Sequence, residues 1–336
     1  MTRVAINGFG RIGRAFFRYA MKESDITIVA VNDLADIANL AYLLKYDSVY
    51  GTAPFDVAVD GKYIVAGSTR VEVVSQKDPA ALPWKDMQID VVVESTGLFT
   101  DYAKAKVHLD AGAKRVVISA PGKGDAALGA TVLMGLNEEK LKTCTISSNA
   151  SCTTNAASPL IAILDATIGI DKALLNTTHA YTATQALIDG PSKKGLREGR
   201  AAALNIVPSS TGAATAVTMA YESLAGKFDG VSLRVPVPAG SIADVTFIAK
   251  RDTTAEEVND ILRKAAKDPR WQGIFDATDE ELVSSDIVGN SHAAIADLSM
   301  TRVIGNLVKV LSWYDNEMGY AHTLTQHVLA VGKHIT

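Results

Sequence analysis

Arg3-Val4-Ala5-Ile6-Asn7-Gly8-Phe9-Gly10-Arg11-Ile12-Gly13 decides how this chain folds. A short apolar run enters Gly-x-Gly-x-x-Gly, and a helical pattern continues to Met21. A second apolar run, Ile26 to Val31, ends at Asn32-Asp33. Strand, glycine triplet, helix, strand and acid succeed one another as in a dinucleotide-binding βαβ unit. Gly8 makes the tight turn, Gly10 lets backbone approach a pyrophosphate, and Gly13 lets helix pack on strand. The helix N-terminus then faces the phosphates. Asp33, twenty residues past Gly13, can accept hydrogen bonds from an adenosine ribose. Its charge opposes a 2′-phosphate, so the pattern favours NAD over NADP.

Working outward, further parallel-type strands run from Val91 to Glu94, into Ser95-Thr96-Gly97, and from Arg115 to Ser119, into Ala120-Pro121-Gly122. The helical stretch Asp101 to Ala111 lies between them. Val71 to Val74 is expected as an edge hairpin, followed by a turn, Lys77-Asp78-Pro79, that carries a positive charge toward the cofactor. The second half reads differently. Strands are expected at Ala173–Ala180, Val231–Val235, Ala243–Lys250 and Leu307–Tyr314, outnumbering helices. A helix from Thr254 to about Lys267 opens on a capping box, Thr254-x-x-Glu257. A last helix, roughly Glu317 to His334, is expected to pack back on the first domain. The fold class is therefore an α/β Rossmann dinucleotide-binding domain plus an α+β domain with a mostly antiparallel sheet.

The 336 residues suit about two domains. A formal charge of −4 gives no electrostatic case for nucleic acid or an anionic membrane as partner. No apolar run of about 20 residues is present, and the opening residues read as a first strand rather than a signal peptide. Two cysteines, Cys144 and Cys152, are too few for a disulfide framework and are expected to be reduced. The expected compartment is the cytoplasm.

Cys152 stands in Ser147-Ser148-Asn149-Ala150-Ser151-Cys152-Thr153-Thr154-Asn155, between a β-rich segment and a helical pattern. Ser151 suits an N-cap, which puts the thiol at a helix N-terminus where N–H groups and the dipole favour a thiolate. Pro159 is expected to kink or loosen this helix. His179 ends an apolar strand and enters a Thr-rich loop; it reads as a base for Cys152 or as a satisfied structural histidine. His322, His327 and His334 read as surface groups, and His108 and His292 carry no motif. No histidine pairs with cysteine at zinc-ligand spacing, so no metal is expected. Ser209-Ser210-Thr211-Gly212-Ala213 suits an anion-binding turn or an ordinary helix cap. Arg234, inside an apolar strand, needs a carboxylate or phosphate partner if buried.

Eight segments in order, INGFGRIGR, VVESTGLFT, SNASCTTN, HAYTATQ, DGPSKK, NIVPSSTGAA, RVPVP and WYDNEMGY, span essentially the whole chain. Together they resemble the phosphorylating NAD-dependent glyceraldehyde-3-phosphate dehydrogenases. The resemblance implies Cys152 as the nucleophile that forms a thiohemiacetal and then a thioester, with His179 as its base. It implies Thr182 and Arg234 around the substrate phosphate, and Ser151, Thr211 and Gly212, with Thr153 beside them, around attacking inorganic phosphate. Gly8, Gly10, Arg11, Ile12, Asp33 and Lys77 would contact NAD, with Thr96, Ser119 and Asn316 near the nicotinamide. Leu34 and Pro191 match NAD-specific members. The implied domains are 1–150, completed by 316–336, and a catalytic domain, 151–315. Residues 182–205 would form a loop reaching a neighbouring subunit in a homotetramer.

The chain departs from the family pattern at Ala156, where many members carry a second cysteine, at Lys77, where arginine is common, and at Met318 and Ala321-His322-Thr323. Two rival functions are an erythrose-4-phosphate dehydrogenase and a non-catalytic NAD-binding regulator.

Overall fold

The structure, a computed structural model, describes residues 1–335. The chain forms two compact units, residues 1–150 with those from 321 onward, and residues 151–320. In the first unit the strands are β1 (Thr2–Asn7), β2 (Ile26–Asn32), β3 (Tyr46–Asp47), β4 (Gly51–Thr52), β5 (Val57–Asp60), β6 (Tyr63–Ala66), β7 (Thr69–Val74), β8 (Val91–Glu94), β9 (Arg115–Ile118), β10 (Ala130–Thr131) and β11 (Ile146–Ser148). Its helices include α1 (Arg11–Ala20), α2 (Ile37–Lys45), α3 (Tyr102–Ala105) and α4 (Val107–Asp110). Nine strands make one sheet in the order β10-β11-β9-β8-β1-β2-β7-β6-β5. From β10 to β7 every pairing is parallel, and only the β5-β6-β7 meander is antiparallel.

The central strands are apolar because both faces are covered. All four residues of β8 are buried, as are Val116, Val117 and Ile118 of β9. The segment expected as an edge hairpin is not at the edge: β7 pairs with β2 on one side and β6 on the other, leaving β5 outermost. Parallel pairing extends the sheet past β2 before the chain doubles back, which a local turn signal cannot reveal. The helical stretch expected at 101–111 is broken into α3 and α4, with Asp101 capping the first through the N–H groups of Ala103 and Lys104.

The second unit opens with α5 (Cys152–Thr167) and continues with β12 (Ile170–Ala180), β13 (Val207–Ser210), α6 (Ala213–Ala220), β14 (Phe228–Val235), β15 (Ser241–Ala249), α7 (Ala255–Ala265), β16 (Phe275–Thr278), β17 (Ala294–Ile304) and β18 (Leu307–Tyr314). Its sheet runs β13-β14-β12-β15-β18-β17-β16, with only the β12-β14 and β16-β17 pairs parallel. Alternate residues of β15 are buried, the signature of a sheet with one covered face. Helix α5 packs against β12, β15, β17 and β18 and against α6 and α7.

Pro159 does not break α5. The helix runs unbroken from Cys152 to Thr167, and every residue from Thr153 to Leu164 is buried. An interior proline costs about 3 kcal/mol; burial of Leu160, Ile161 and Leu164, at about 1.5–3 kcal/mol each, outweighs it. The capping box on α7 is half formed. Thr254 accepts from the Glu257 N–H at 3.1 Å, but the Glu257 carboxylate turns to Arg251 and Thr253 instead of reaching back. The last helix, α8 (Met318–Gly332), begins in the second unit, and its residues from 321 belong to the first. Among the described residues no helix is long and apolar enough to cross a membrane.

Candidate active site

The dinucleotide loop is built by close contacts. Gly8 has φ +95°, and a Cβ there would lie 2.7 Å from the Thr96 nitrogen. At Gly13 a Cβ would lie 2.3 Å from the Gly8 carbonyl oxygen, so helix and strand touch only because both side chains are missing. Gly10 differs. Its φ is −70°, and a Cβ would meet no protein atom within 4 Å, so nothing in the chain itself requires glycine there. Helix α1 also begins without a side-chain cap, whereas Asp36, Asp101, Ser151 and Thr254 cap α2, α3, α5 and α7. A clear space above an uncapped helix start fits a pyrophosphate.

Asp33 is half-buried and ties this loop to β2: its carboxylate accepts from the N–H of Phe9 at 2.8 Å and of Ala35 at 3.0 Å. Two lone pairs per oxygen leave it able to accept ribose hydroxyls as well. The Arg11 guanidinium lies 3.2 Å from Asp47, so its charge has a protein partner and the loop offers its backbone. Ile12 follows in the first turn, half-buried. Lys77 is exposed next to Gln76, whose backbone N–H and carbonyl are both held by the Asn32 side chain at 2.9 and 3.0 Å. Ser119, at the end of β9, donates its backbone N–H to the Glu94 carbonyl.

Beneath the strand ends lies a polar network that sequence reading missed. Glu94, 1% exposed, accepts from Asn7 Nδ2 at 2.6 Å, His108 Nε2 at 3.1 Å, Thr96 N at 2.8 Å and Thr96 Oγ1 at 2.5 Å. The Trp84 indole N–H donates to His108 Nδ1 at 3.2 Å, so that nitrogen carries no proton and Nε2–H points to the carboxylate. Four donors satisfy the buried Glu94 side chain. His108, which carries no motif, therefore acts structurally by fixing the carboxylate that holds Thr96.

The reactive cluster lies within the second unit. Just before it, Ala150 has φ +55°, a left-handed backbone that turns β11 into α5. Such a conformation costs a residue with a Cβ about 1–2 kcal/mol. Ser151 caps α5 by accepting the Thr154 N–H at 3.0 Å, making Cys152 its first residue. The thiol sulfur lies 3.3 Å from His179 Nε2. Burial pushes the thiol up from its ordinary range, opposed by Arg234 and by N–H groups of the helix start. Cys152 keeps some exposed surface, but its sulfur is ringed by protein. Burial therefore works against the thiolate that the helix terminus alone favours. Burial, with Arg234, also brings His179 down to about 3, so the imidazole is neutral.

Two groups meet His179 Nδ1: the Ala180 carbonyl at 2.6 Å and Arg234 Nη1 at 2.5 Å. A carbonyl only accepts, so it selects Nδ1–H and leaves Nε2 bare toward the thiol. A guanidinium only donates, so it selects the opposite tautomer, with Nε2–H on sulfur. Arg234 reaches this position because β14 pairs beside β12 with His179 opposite Arg234. It makes no ion pair with a carboxylate among the described residues, and its buried Nε has no partner. Of the two partners the sequence left open, the carboxylate is missing.

Thr153 is buried, and its hydroxyl meets Tyr314 Oη at 2.8 Å. Tyr314, which also meets Thr177 at 2.8 Å and sets its ring edge-on to His179, has no role from sequence although it stands in WYDNEMGY. Thr182 is half-buried, 2.9 Å from Thr184 through their hydroxyls. Thr211 accepts the Ala213 N–H at 3.2 Å, leaving its own proton to donate, and Gly212 starts α6 with no side-chain cap. Neither Thr182 nor Thr211 bonds directly to Cys152; sheet and loop connect them to it. Asn316 is buried and accepts from Ser241 Oγ at 3.1 Å. His327, read as a surface group, is fully buried in the first unit, bonded to Ser147 at 2.8 Å and Asn149 at 3.1 Å. It shares the buried face of α8 with Leu324 and Val331, three before and four after it, a helical spacing that the reading as a surface group overlooked. No cluster of three or more metal-ligating side chains occurs among the described residues.

Two family descriptions match the chain: the NAD binding domain of glyceraldehyde 3-phosphate dehydrogenase over residues 2–102, and its C-terminal domain over residues 151–316. A glyceraldehyde-3-phosphate dehydrogenase of Mycobacterium avium is 50% identical over 340 residues, covering 99% of both chains. One from Mycolicibacterium smegmatis is 50% identical over 98% of both chains. A third, glyceraldehyde-3-phosphate dehydrogenase 1 of Streptomyces avermitilis, is 48% identical, again over 98% of each.

Proposed function

The chain belongs to the glyceraldehyde-3-phosphate dehydrogenase family, NAD-dependent oxidoreductases acting on an aldehyde, and on that premise we propose how its own residues perform the reaction. The thiol and imidazole 3.3 Å apart carry this reading. His179 Nε2 takes the Cys152 proton as sulfur attacks C1 of glyceraldehyde 3-phosphate and returns it to the carbonyl oxygen, giving a thiohemiacetal. The Cys152 N–H, first of its helix, has no carbonyl one turn earlier and serves as oxyanion donor. His179 then takes the hydroxyl proton while bound NAD supplies the hydride acceptor, leaving a thioester on Cys152. Inorganic phosphate attacks the thioester carbonyl, the thiolate leaves, and 1,3-bisphosphoglycerate departs.

Arg234 and Thr182 hold the substrate phosphate in this reading. An arriving phosphate that engages the guanidinium draws it from Nδ1, so the Ala180 carbonyl alone sets the tautomer and Nε2 becomes a base. Ser151, Thr211 and Gly212 receive the attacking phosphate; the hydroxyl of Thr153, already bonded to Tyr314, supports them from behind. Gly8, Gly10, Arg11 and Ile12 would cradle the pyrophosphate of NAD through backbone, Asp33 and Lys77 would face its adenosine side, and Thr96, Ser119 and Asn316 its nicotinamide side.

The working form in this proposal is a cytoplasmic homotetramer. Residues 182–206 support it: Leu187, Ile188, Leu196, Leu204 and Ile206 are all at least 67% exposed. That many apolar side chains on one segment suit a subunit contact. Two free cysteines suit a reducing compartment.

A steady-state assay with both aldehydes, both coenzymes, and phosphate present or omitted tests the reading. It predicts phosphate-dependent NAD reduction with glyceraldehyde 3-phosphate, abolished by Cys152→Ser. Greater efficiency with erythrose 4-phosphate, or full activity in the serine variant, would contradict it.

A further inference from the structure

The backbone ladder between β12 and β15 stops at the pair Thr178–Ile242. One step beyond, a side chain takes over: the Ala180 N–H donates to Ser241 Oγ at 3.0 Å. An N–H can only donate, so the hydroxyl accepts there and its single proton goes elsewhere. It goes to Asn316 Oδ1, 3.1 Å away. Ser241 is 1% exposed and Asn316 is 5% exposed, so water does not substitute for either bond. Ala180 is also the residue whose carbonyl meets His179 Nδ1 at 2.6 Å. Its other peptide group is pinned by the bond from the Tyr181 N–H to the Val237 carbonyl.

We propose that Ser241 is a positioning residue whose one hydroxyl sets both the imidazole opposite Cys152 and the amide orientation of Asn316. On the first side, it anchors the peptide joining His179 to Ala180; the carbonyl that selects the Nδ1–H tautomer lies on the next peptide, so Ser241 fixes one side of the Ala180 Cα and the Tyr181–Val237 bond the other. On the second, it makes the Asn316 oxygen the acceptor and turns the NH₂ group away as a donor. A nicotinamide carboxamide oxygen is the complementary acceptor. Without the hydroxyl, the amide is free to turn over and present oxygen to oxygen. Packing alone does not call for serine, since alanine fills the same buried place on β15; the two polar partners do. The inference rests on the roles given above to His179 and Asn316.

The test compares full-length wild type with Ser241→Ala and Ser241→Thr. Three quantities are read: the alkylation rate of Cys152 by iodoacetamide at pH 7 in coenzyme-free protein, NAD affinity by calorimetry, and turnover with glyceraldehyde 3-phosphate. Ser241→Ala is expected to slow alkylation and weaken NAD binding, each by about 3- to 10-fold, the scale of one neutral hydrogen bond. Ser241→Thr, which keeps the hydroxyl, is expected to recover most of both. A Ser241→Ala protein that melts earlier but keeps wild-type alkylation and NAD affinity would overturn the proposal, as would a threonine variant as impaired as alanine. If Ser241→Ala does not fold, Ser241→Cys replaces it: weakened alkylation and NAD binding support the role, and wild-type values in both overturn it. A wild-type protein without phosphate-dependent NAD reduction would instead contradict the proposed function, leaving the alkylation comparison to judge Ser241 and His179.

Discussion

At the reactive pair, burial works against the helix terminus. A helix terminus favours thiolate, but the loss of water around Cys152 moves the thiol the other way, and the imidazole beside it stays neutral. The 3.3 Å contact gives proton transfer between them a direct path. His179→Asn removes the acceptor and is expected to lower kcat by about 10²- to 10⁴-fold, measured with saturating substrates. Arg234→Ala removes the cation that helps depress His179. Its imidazole pKa, followed by NMR, should rise from about 3 while staying below 6.5 because burial persists, and KM for the phosphorylated aldehyde should rise with it. Cys152 stands out from its local motif, whereas the roles of His179 and Arg234 stay open on their own residues and come only from the resemblance across the eight segments. Tyr314 and Ser241 act through partners more than 60 residues away, at Thr153, Thr177 and Ala180, so no local pattern reveals them.

The two glycines that flank the start of α1 separate folding from binding. Gly13→Ala drives a Cβ into the Gly8 carbonyl at 2.3 Å and is expected to lower stability by roughly 1–3 kcal/mol, the cost of overpacking. Gly10→Ala has open space and an ordinary φ, so its stability should change by less than about 1 kcal/mol. Its NAD affinity should nonetheless fall by tenfold or more, on the scale of one methyl group set against a ligand backbone contact. Thermal unfolding and calorimetry read the two effects separately, and equal loss of NAD binding and stability in Gly10→Ala would contradict the cradle. The βαβ unit is readable because glycine spacing and apolar period agree. Helix α5 is readable only in part: buried on all sides, it shows no polar face against which to judge Pro159. The place of β7 inside the sheet likewise depends on pairing with β2, a contact set by topology rather than by its own turn.

Across the whole molecule, two buried neutral histidines make stability depend on pH. His179 and His327 are both brought down to about 3 in the folded chain, against 6.5 when exposed. Below pH 6.5 the unfolded chain takes up protons that the folded chain refuses, so stability is full above that pH and is lost as pH falls toward 3. The two together contribute a slope of up to about 2.7 kcal/mol per pH unit. Denaturant unfolding between pH 6.5 and 4.5 should show His327→Gln losing roughly half of that dependence. The exposed apolar side chains of residues 182–206 make a second prediction: Ile188→Asp with Leu204→Asp should lower the mass in solution from that of a tetramer, measured by light scattering. The helical period shared with Leu324 and Val331 encodes the burial of His327, but no local pattern names its partners Ser147 and Asn149, which lie far away in sequence. The central claim is that oxidation leaves an acyl group on Cys152 which phosphate must remove. Rapid mixing with NAD and glyceraldehyde 3-phosphate without phosphate, followed by intact-protein and peptide mass spectrometry, tests it most directly. The account predicts one burst of NADH stoichiometric with chains and an acyl adduct on Cys152 that added phosphate discharges; continuous turnover without phosphate, or a burst with Cys152 unmodified, would contradict it.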